Sequence, residues 1–354
     1  MAEYKSIKGF QIQSTSSDPV PYVGSWSSGG AIPAGVSSGM GFGTQTASVI
    51  GGGYTGTAYS NNVYEYNGSS WSSGGSLNAA VGQARTGHGI LTAGGAVAGY
   101  SAPGGSVMNN YETYDGSSFT ERADLNTARQ TLSATGSTTA ALAAGGTTGV
   151  GPGSTQEGLD NVESWNGTSW TETTEVNTGR KQATSFSGGP APTMIFIGGA
   201  SDSTSYANTE TYNGSAWTET TDLNTTRKAL AGAGQAQTDG LVFGGSTPSD
   251  TAVTEKWNGT SWTEVADLST ARYSLVGSGT GATSALAAGG SPVRTATEEF
   301  GFPPITASIL QEGDMWYNST SSTLKVYGKA AGIPATSWSS GTSLGTAKRN
   351  MGGA

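Results

Sequence analysis

Val162-Glu163-Ser164-Trp165-Asn166-Gly167-Thr168-Ser169-Trp170 is the stretch on which the reading of this chain turns. Its first half alternates, so successive side chains point to opposite faces of a strand. An Asn-Gly pair interrupts it, and a second strand opens at Trp170. Asn-Gly between alternating segments is the strongest short-range hairpin signal, and it predicts a type I′ turn with positive φ at both central residues. Upstream, Ala141-Leu142-Ala143-Ala144-Gly145-Gly146 is a small-residue strand ended by Gly-Gly. Each copy of the pattern closes with a phrase such as Leu223-Asn224-Thr225-Thr226-Arg227.

The same sentence recurs along the chain. Gly-Gly falls at Gly52-Gly53, Gly94-Gly95, Gly145-Gly146, Gly198-Gly199, Gly244-Gly245 and Gly289-Gly290. The turn recurs as Asn67-Gly68, Asp115-Gly116, Asn213-Gly214 and Asn258-Gly259. The aromatic after it falls at Trp71, Phe119, Trp170, Trp217 and Trp262, and the Arg at Arg85, Arg129, Arg180, Arg227 and Arg272. A period of roughly 40–50 residues made of short strands is the signature of a β-propeller. Six copies predict an all-β, six-bladed propeller. The Ala-rich strand suits the crowded axis, and Gly-Gly ends it in conformations other residues avoid. The aromatic fills the wedge that widens between blades away from the axis. These aromatic and Arg positions therefore read as structural positions of the repeat. The segments between Gly-Gly and the next strand vary in length and collect on one rim.

The pattern resembles the kelch repeat family, whose blades carry Gly-Gly after the second strand and then an aromatic and a Trp at set distances. The resemblance spans residues 26–302 and implies a six-bladed kelch-like propeller. The phrase Trp-x-x-x-x-x-Leu-Asn-Thr-x-Arg also resembles kelch-like repeats in structural and fibre proteins of marine bacteriophages. That likeness implies a non-enzymatic virion component, in the tail, a fibre or the capsid surface. It would be made in the host cytoplasm and would partner other virion proteins or copies of itself.

The ends depart from the repeat. Residues 1–25 lack the apolar run of a secretory signal, although Lys5 and Lys8 are present. Residues 303–337 read as a non-repeat insert with a hairpin around Ser319-Thr320-Ser321-Ser322. Phe10, Ile12, Tyr22, Ile309, Trp316 and Tyr317 give these two segments apolar anchors for assembly. The expectation is that the segments lie together and dock the propeller; a strap across its own disc is the alternative. Trp338-Ser339-Ser340-Gly341 resumes the repeat over 338–354, matching the half-phrase Trp26-Ser27-Ser28-Gly29. It either supplies an outer strand to the first blade, closing the ring, or begins a second propeller.

Composition narrows the chemistry. Cys is absent, so thiolate catalysis and disulfides are excluded. Only 12% of residues are charged, the net charge is −9 and no basic cluster exists, which argues against nucleic-acid binding. No apolar stretch approaches the ~20 residues that cross a bilayer. His88 is the only histidine and cannot build a His-rich metal centre. It reads as a loop or channel residue, and no cofactor or metal is expected. The Asn-Gly-Ser/Thr triplets match glycosylation acceptors, but the turn already explains them. No Gly-x-Ser-x-Gly elbow appears. A Glu recurs at Glu112, Glu163, Glu210, Glu255 and Glu298, with Tyr64 in the first copy. With the Arg series it forms either an anion-binding channel lining or, as a position repeated in every blade suggests, inter-blade ion pairs. The second functional class is a carbohydrate-binding propeller lectin for a host surface glycan. Tyr54, Tyr59, Tyr100 and Tyr206 on the rim loops are its candidate stacking platforms.

Overall fold

A computed structural model describes residues 13–15, 24–78, 81–83, 86–101, 105–149, 157–187, 193–202, 204–302 and 315–326. Among these residues there are strands, turns and bends but no helix. The chain divides into two units: residues 24–301, and residues 1–23 together with 302–354.

The larger unit is a six-bladed propeller. Blade three shows the plan: Ser133–Gly136 innermost, then Ala141–Ala144, Val162–Trp165 and Trp170–Glu172 outermost, all antiparallel. Its second strand is buried at every position, while its outermost strand buries only the leading Trp. Blades four and five repeat this order from Thr184 to Glu219 and from Ala231 to Glu264. Blade one runs from Met40–Thr44 to Trp71–Ser73, and blade two ends in Phe119–Glu121. The six innermost strands pack in a closed ring about the axis.

Blade six takes three strands from Val276–Gly281, Ser284–Ala288 and Thr297–Gly301. Its fourth is Ser25–Ser28 from the other end of the unit, with Ser25 opposite Gly301 and Trp26 opposite Phe300. The reason lies in the aromatic pair that flanks each outer turn. Tyr212 faces Trp217 and Trp257 faces Trp262, at ring separations of 5.0 and 4.9 Å. Phe300 has no such Trp downstream in its own copy; Trp26 fills the place, 5.2 Å away. Blade one has its own outer strand, Trp71–Ser73. Ser25–Ser28 therefore closes the ring, and the 338–354 phrase lies outside the described residues.

Two local expectations need correction. In five copies both glycines of Gly-Gly have positive φ, for example 67° and 99° at Gly145 and Gly146. A Cβ on Gly145 would meet the Arg180 carbonyl oxygen at 2.5 Å. Gly94-Gly95 are not the equivalent pair. They lie inside the long strand Ala93–Ser101, and the positive-φ pair is Ala98-Gly99. Gly99 N–H donates to the Arg129 carbonyl, as Gly146 N–H does to that of Arg180. Gly94 and Gly95 instead make room for rings: a Cβ there would meet Phe42 at 2.1 Å and His88 at 2.5 Å.

The turns are not type I′. Only the Gly has positive φ, 100° at Gly214, and the Asn does not. Four residues separate Tyr212 from Trp217, and Asn213 Oδ1 accepts hydrogen bonds from Ser215 N–H and Ala216 N–H at 2.9 and 3.0 Å. The Asn is the nucleus of an Asx turn. Asp115 accepts from Ser117 and Ser118 in the same way, at 2.9 Å each. Asn213→Asp should therefore leave the urea midpoint at neutral pH unchanged. Gly214→Val should cost about 1–2 kcal/mol, because a branched residue resists positive φ. The N–H of Ser118, then the hydroxyl and N–H of Ser117, hold Asp115 down to about 2. An Asp at 213 should thus lose its benefit only as pH falls below about 4.

In the smaller unit, Gln13–Thr15 pairs in parallel with Met315–Asn318, Gln13 opposite Trp316 and Ser14 opposite Tyr317. Met315–Asn318 pairs antiparallel with Thr323–Val326. The flanking segments thus share one small sheet. Trp316 and Tyr317 lie on its central strand, while Phe10, Ile12, Tyr22 and Ile309 fall outside the described residues.

Candidate functional site

Arg129, Arg180, Arg227 and Arg272 have fully buried side chains and pair with Glu163, Glu210, Glu255 and Glu298. Arg227 Nη2 lies 2.7 Å from Glu255 Oε1, and its Nη1 donates to the carbonyls of Val253 and Gly244. The other oxygen, Oε2, accepts from both Asn224 N–H and Asn224 Nδ2. The Leu-Asn-Thr-x-Arg phrase thereby wraps the Glu of the blade it enters. Burial lowers the Arg227 pKa, and Glu255 pulls it back up. Arg180 also lies 4.3 Å from the Phe196 ring centroid. In blade one Tyr64 stands for the Glu and Val36 for the Arg; both lie in one apolar cluster with Ile50 and Val276. Arg85 is outside the described residues.

The outer aromatics clasp the preceding blade. Trp262 Nε1 donates to the Thr221 carbonyl and Thr209 Oγ1, Trp71 to the Gly30 carbonyl and Thr297 Oγ1, and Trp217 to the Thr174 carbonyl. Trp170 is the exception. Tyr111 stands where Thr209 and Thr297 stand, and Trp170 Nε1 has no acceptor. Phe119 has no N–H to satisfy.

His88 lies in blade two, on the strand Thr86–Ile90, with its ring stacked 5.7 Å from Tyr111. Both its ring nitrogens are buried without a hydrogen-bond partner. Burial pushes its pKa down to about 4; the Gly136 carbonyl opposes this weakly and lies outside hydrogen-bonding geometry. The folded state keeps His88 neutral, while the unfolded chain protonates it near 6.5. Stability should therefore fall as pH drops from about 6.5 to 4, by about 3 kcal/mol from this residue. Phe42 and Phe186 hold the equivalent position in blades one and four. Urea unfolding of His88→Phe should show that much less acid sensitivity than the parent.

The axis is lined by small residues from the six innermost strands. One end opens to a cavity of 360 Å³ bordered by Phe42, His88, Ile90 and Phe186. The other end, of 170 Å³, lies on the face that carries the Gly-Gly pairs. Around it Ser38, Thr131, Gln182, Ala229 and Ser274 all have φ between 52° and 57°. The N–H of each of Gln182, Ala229, Ser274 and Ser38 donates to the carbonyl of the previous member. This run of four main-chain bonds links five side-chain-bearing residues held in the left-handed region. The residue before each of them, namely Ser37, Thr131's neighbour Gln130, Lys181, Lys228 or Tyr273, pairs outward with the loop after Gly-Gly.

On that face Tyr54 and Tyr59 meet, with ring centroids 5.3 Å apart. Arg294 from blade six lies over Tyr54, its guanidinium carbon 5.6 Å from the ring centroid. Tyr273, 37% exposed, pairs through its main chain with Ser291, whose Oγ accepts from Arg294 Nη2 at 3.3 Å. Tyr100 belongs to blade two and Tyr206 to blade four, where its hydroxyl donates to Ser201. Of the four tyrosines singled out from sequence, the fold brings together only Tyr54 and Tyr59. Arg294 and Tyr273 escaped notice. The one signal was Tyr273's place after the repeated Arg, where other copies carry Gln130, Lys181 and Lys228.

No protein-family model matches the chain, and no curated protein matches it. Solved structures do. YjhT superposes with a TM-score of 0.62 over 79% of this chain and 99% of its own length, at 12% sequence identity. An identity that low carries the fold alone. The chain is a six-bladed β-propeller, and YjhT is a propeller too.

Proposed function

We propose that this chain is a kelch-like propeller acting without catalysis as a structural or adhesive component of a virion. The class is that of tail, fibre or capsid-associated proteins like those of marine bacteriophages. Its partners are other virion proteins or copies of itself. The observation that carries the reading is the path of the chain. The propeller's first and last strands pair with each other, Ser25 opposite Gly301, and the segments beyond them pair as well, Gln13 opposite Trp316. The chain thus enters and leaves the propeller through two segments that pair in one sheet of their own, which suits attachment to a larger body. The Arg and Glu repeated in blades three to six are spent inside the framework, as in the buried Arg227–Glu255 pair. Deleting residues 1–20 and changing Trp316→Ser should leave a folded propeller that no longer enters particles. Normal incorporation, or loss of the fold, would count against the reading.

A carbohydrate-binding propeller is the second reading. It is favoured by the grouping of Tyr54, Tyr59, Tyr273 and Arg294 on one face. A glycan array probed with the full chain tests it: saturable binding supports it, and silence removes it.

A further inference from the structure

We propose that blades six and one together form, on the face bearing the Gly-Gly pairs, a site for a negatively charged saccharide unit of an acidic polysaccharide. The inference rests on the carbohydrate-binding reading and deepens it.

Arg294 is the starting point. The four repeat arginines among the described residues are spent on buried carboxylates. Arg294 pairs with no carboxylate among the described residues; its bond is a long one to Ser291 Oγ, and its Nε has no partner. Its carbonyl accepts from Val36 N–H at 2.9 Å, which fixes it across the seam where the ring closes. Its guanidinium is steadied over the Tyr54 ring, which Tyr59 backs. A guanidinium so held presents a planar fork of donors that matches a carboxylate or sulfate.

The second component is an aromatic surface. Tyr273 is the most exposed aromatic among the described residues of the propeller. It is tied to Ser291 by main-chain bonds of 2.9 and 3.1 Å, so ring and guanidinium share one rigid corner. A pyranose offers an apolar C–H face to such a ring and its acid group to the arginine. Lys228 occupies the same blade position as Tyr273 one blade earlier, and the two loops are joined by Ser274 N–H donating to the Ala229 carbonyl at 2.8 Å. A cation there extends the site toward the next unit of a polyanion. The main-chain bonds that link Ser38, Ser274 and Ala229 fix the three loops relative to one another before any ligand arrives.

The test is titration of the full chain with polygalacturonate, with dextran as the neutral control, at low and raised salt. The expected result is saturable binding to polygalacturonate, weakened by salt, and none to dextran. Arg294→Gln and Tyr273→Ala should each weaken it at least tenfold, with Arg294→Lys intermediate. Urea midpoints check that the variants fold. Should Arg294→Gln unfold, the exposed Tyr273→Ala decides the matter. Unchanged binding in Tyr273→Ala, equal binding of dextran, or no binding of polygalacturonate overturns the proposal. Binding of other glycans on the array would then leave the carbohydrate-binding reading standing, whereas an array silent throughout removes both.

Discussion

Glu255→Gln should destabilise the propeller by about 3–5 kcal/mol, the usual cost of breaking a buried ion pair by removing one partner. Glu255 Oε1 accepts from Arg227, and Oε2 accepts twice from Asn224. A Gln amide can serve one of these partners as an acceptor, but then points its own N–H₂ at donors on the other side. The guanidinium stays buried with only the Gly244 and Val253 carbonyls for company. Removing both charges should cost less than the sum of the two single changes, as the paired apolar residues Val36 and Tyr64 of blade one suggest. Urea unfolding of Glu255→Gln, Arg227→Met and the double variant measures this. A loss below about 1 kcal/mol for Glu255→Gln would show that the staple is not desolvated.

Trp217→Ala should cost a similar amount, about 3–5 kcal/mol, the usual penalty for emptying a large buried aromatic site. Trp217 of blade four packs in one cluster with Leu142 and Val162 of blade three and with Phe196 and Tyr212 of its own blade. Its ring lies 5.0 Å from Tyr212, and its Nε1 donates to the Thr174 carbonyl at 2.9 Å. The loss is therefore felt across the interface between blades. Milder changes sort the hydrogen bond from the packing. Trp170→Phe should lose packing alone, since Trp170 Nε1 has no acceptor. Trp262→Phe should cost about 1 kcal/mol more, because it strands the Thr221 carbonyl. Equal urea midpoints for Trp217→Ala and the parent would mean that the clasp contributes nothing.

Repetition made the blade legible from sequence; wherever a copy varies, the reading fails for a local reason. Gly94-Gly95 match the motif in letters, yet they serve ring packing, and the left-handed turn falls at Ala98-Gly99. Asn-Gly correctly marked each outer turn. The same letters suit both a two-residue turn and a four-residue Asx turn, and only the pairing of Tyr212 with Trp217 separates them. Trp26 and Trp338 open similar phrases, and nothing in their letters says which one meets Phe300. The candidate site depends on that closure. Arg294 and Tyr54 are far apart in sequence and meet only because blade six lies beside blade one.

Closure by the N-terminal strand is what makes the disc a ring and creates that corner. The chain has no Cys, so a designed disulfide reports on it without interference. Ser27 and Glu299 are directly paired, and Cα atoms opposite each other on antiparallel strands lie about 4.5–5.5 Å apart. Ser27→Cys with Glu299→Cys should give one intramolecular disulfide on oxidation and a raised urea midpoint that reductant reverses. Thr211→Cys with Thr218→Cys, paired inside blade four, is the control. If the control closes while the thiols at 27 and 299 stay free, or link only between molecules, the N-terminal strand does not complete blade six.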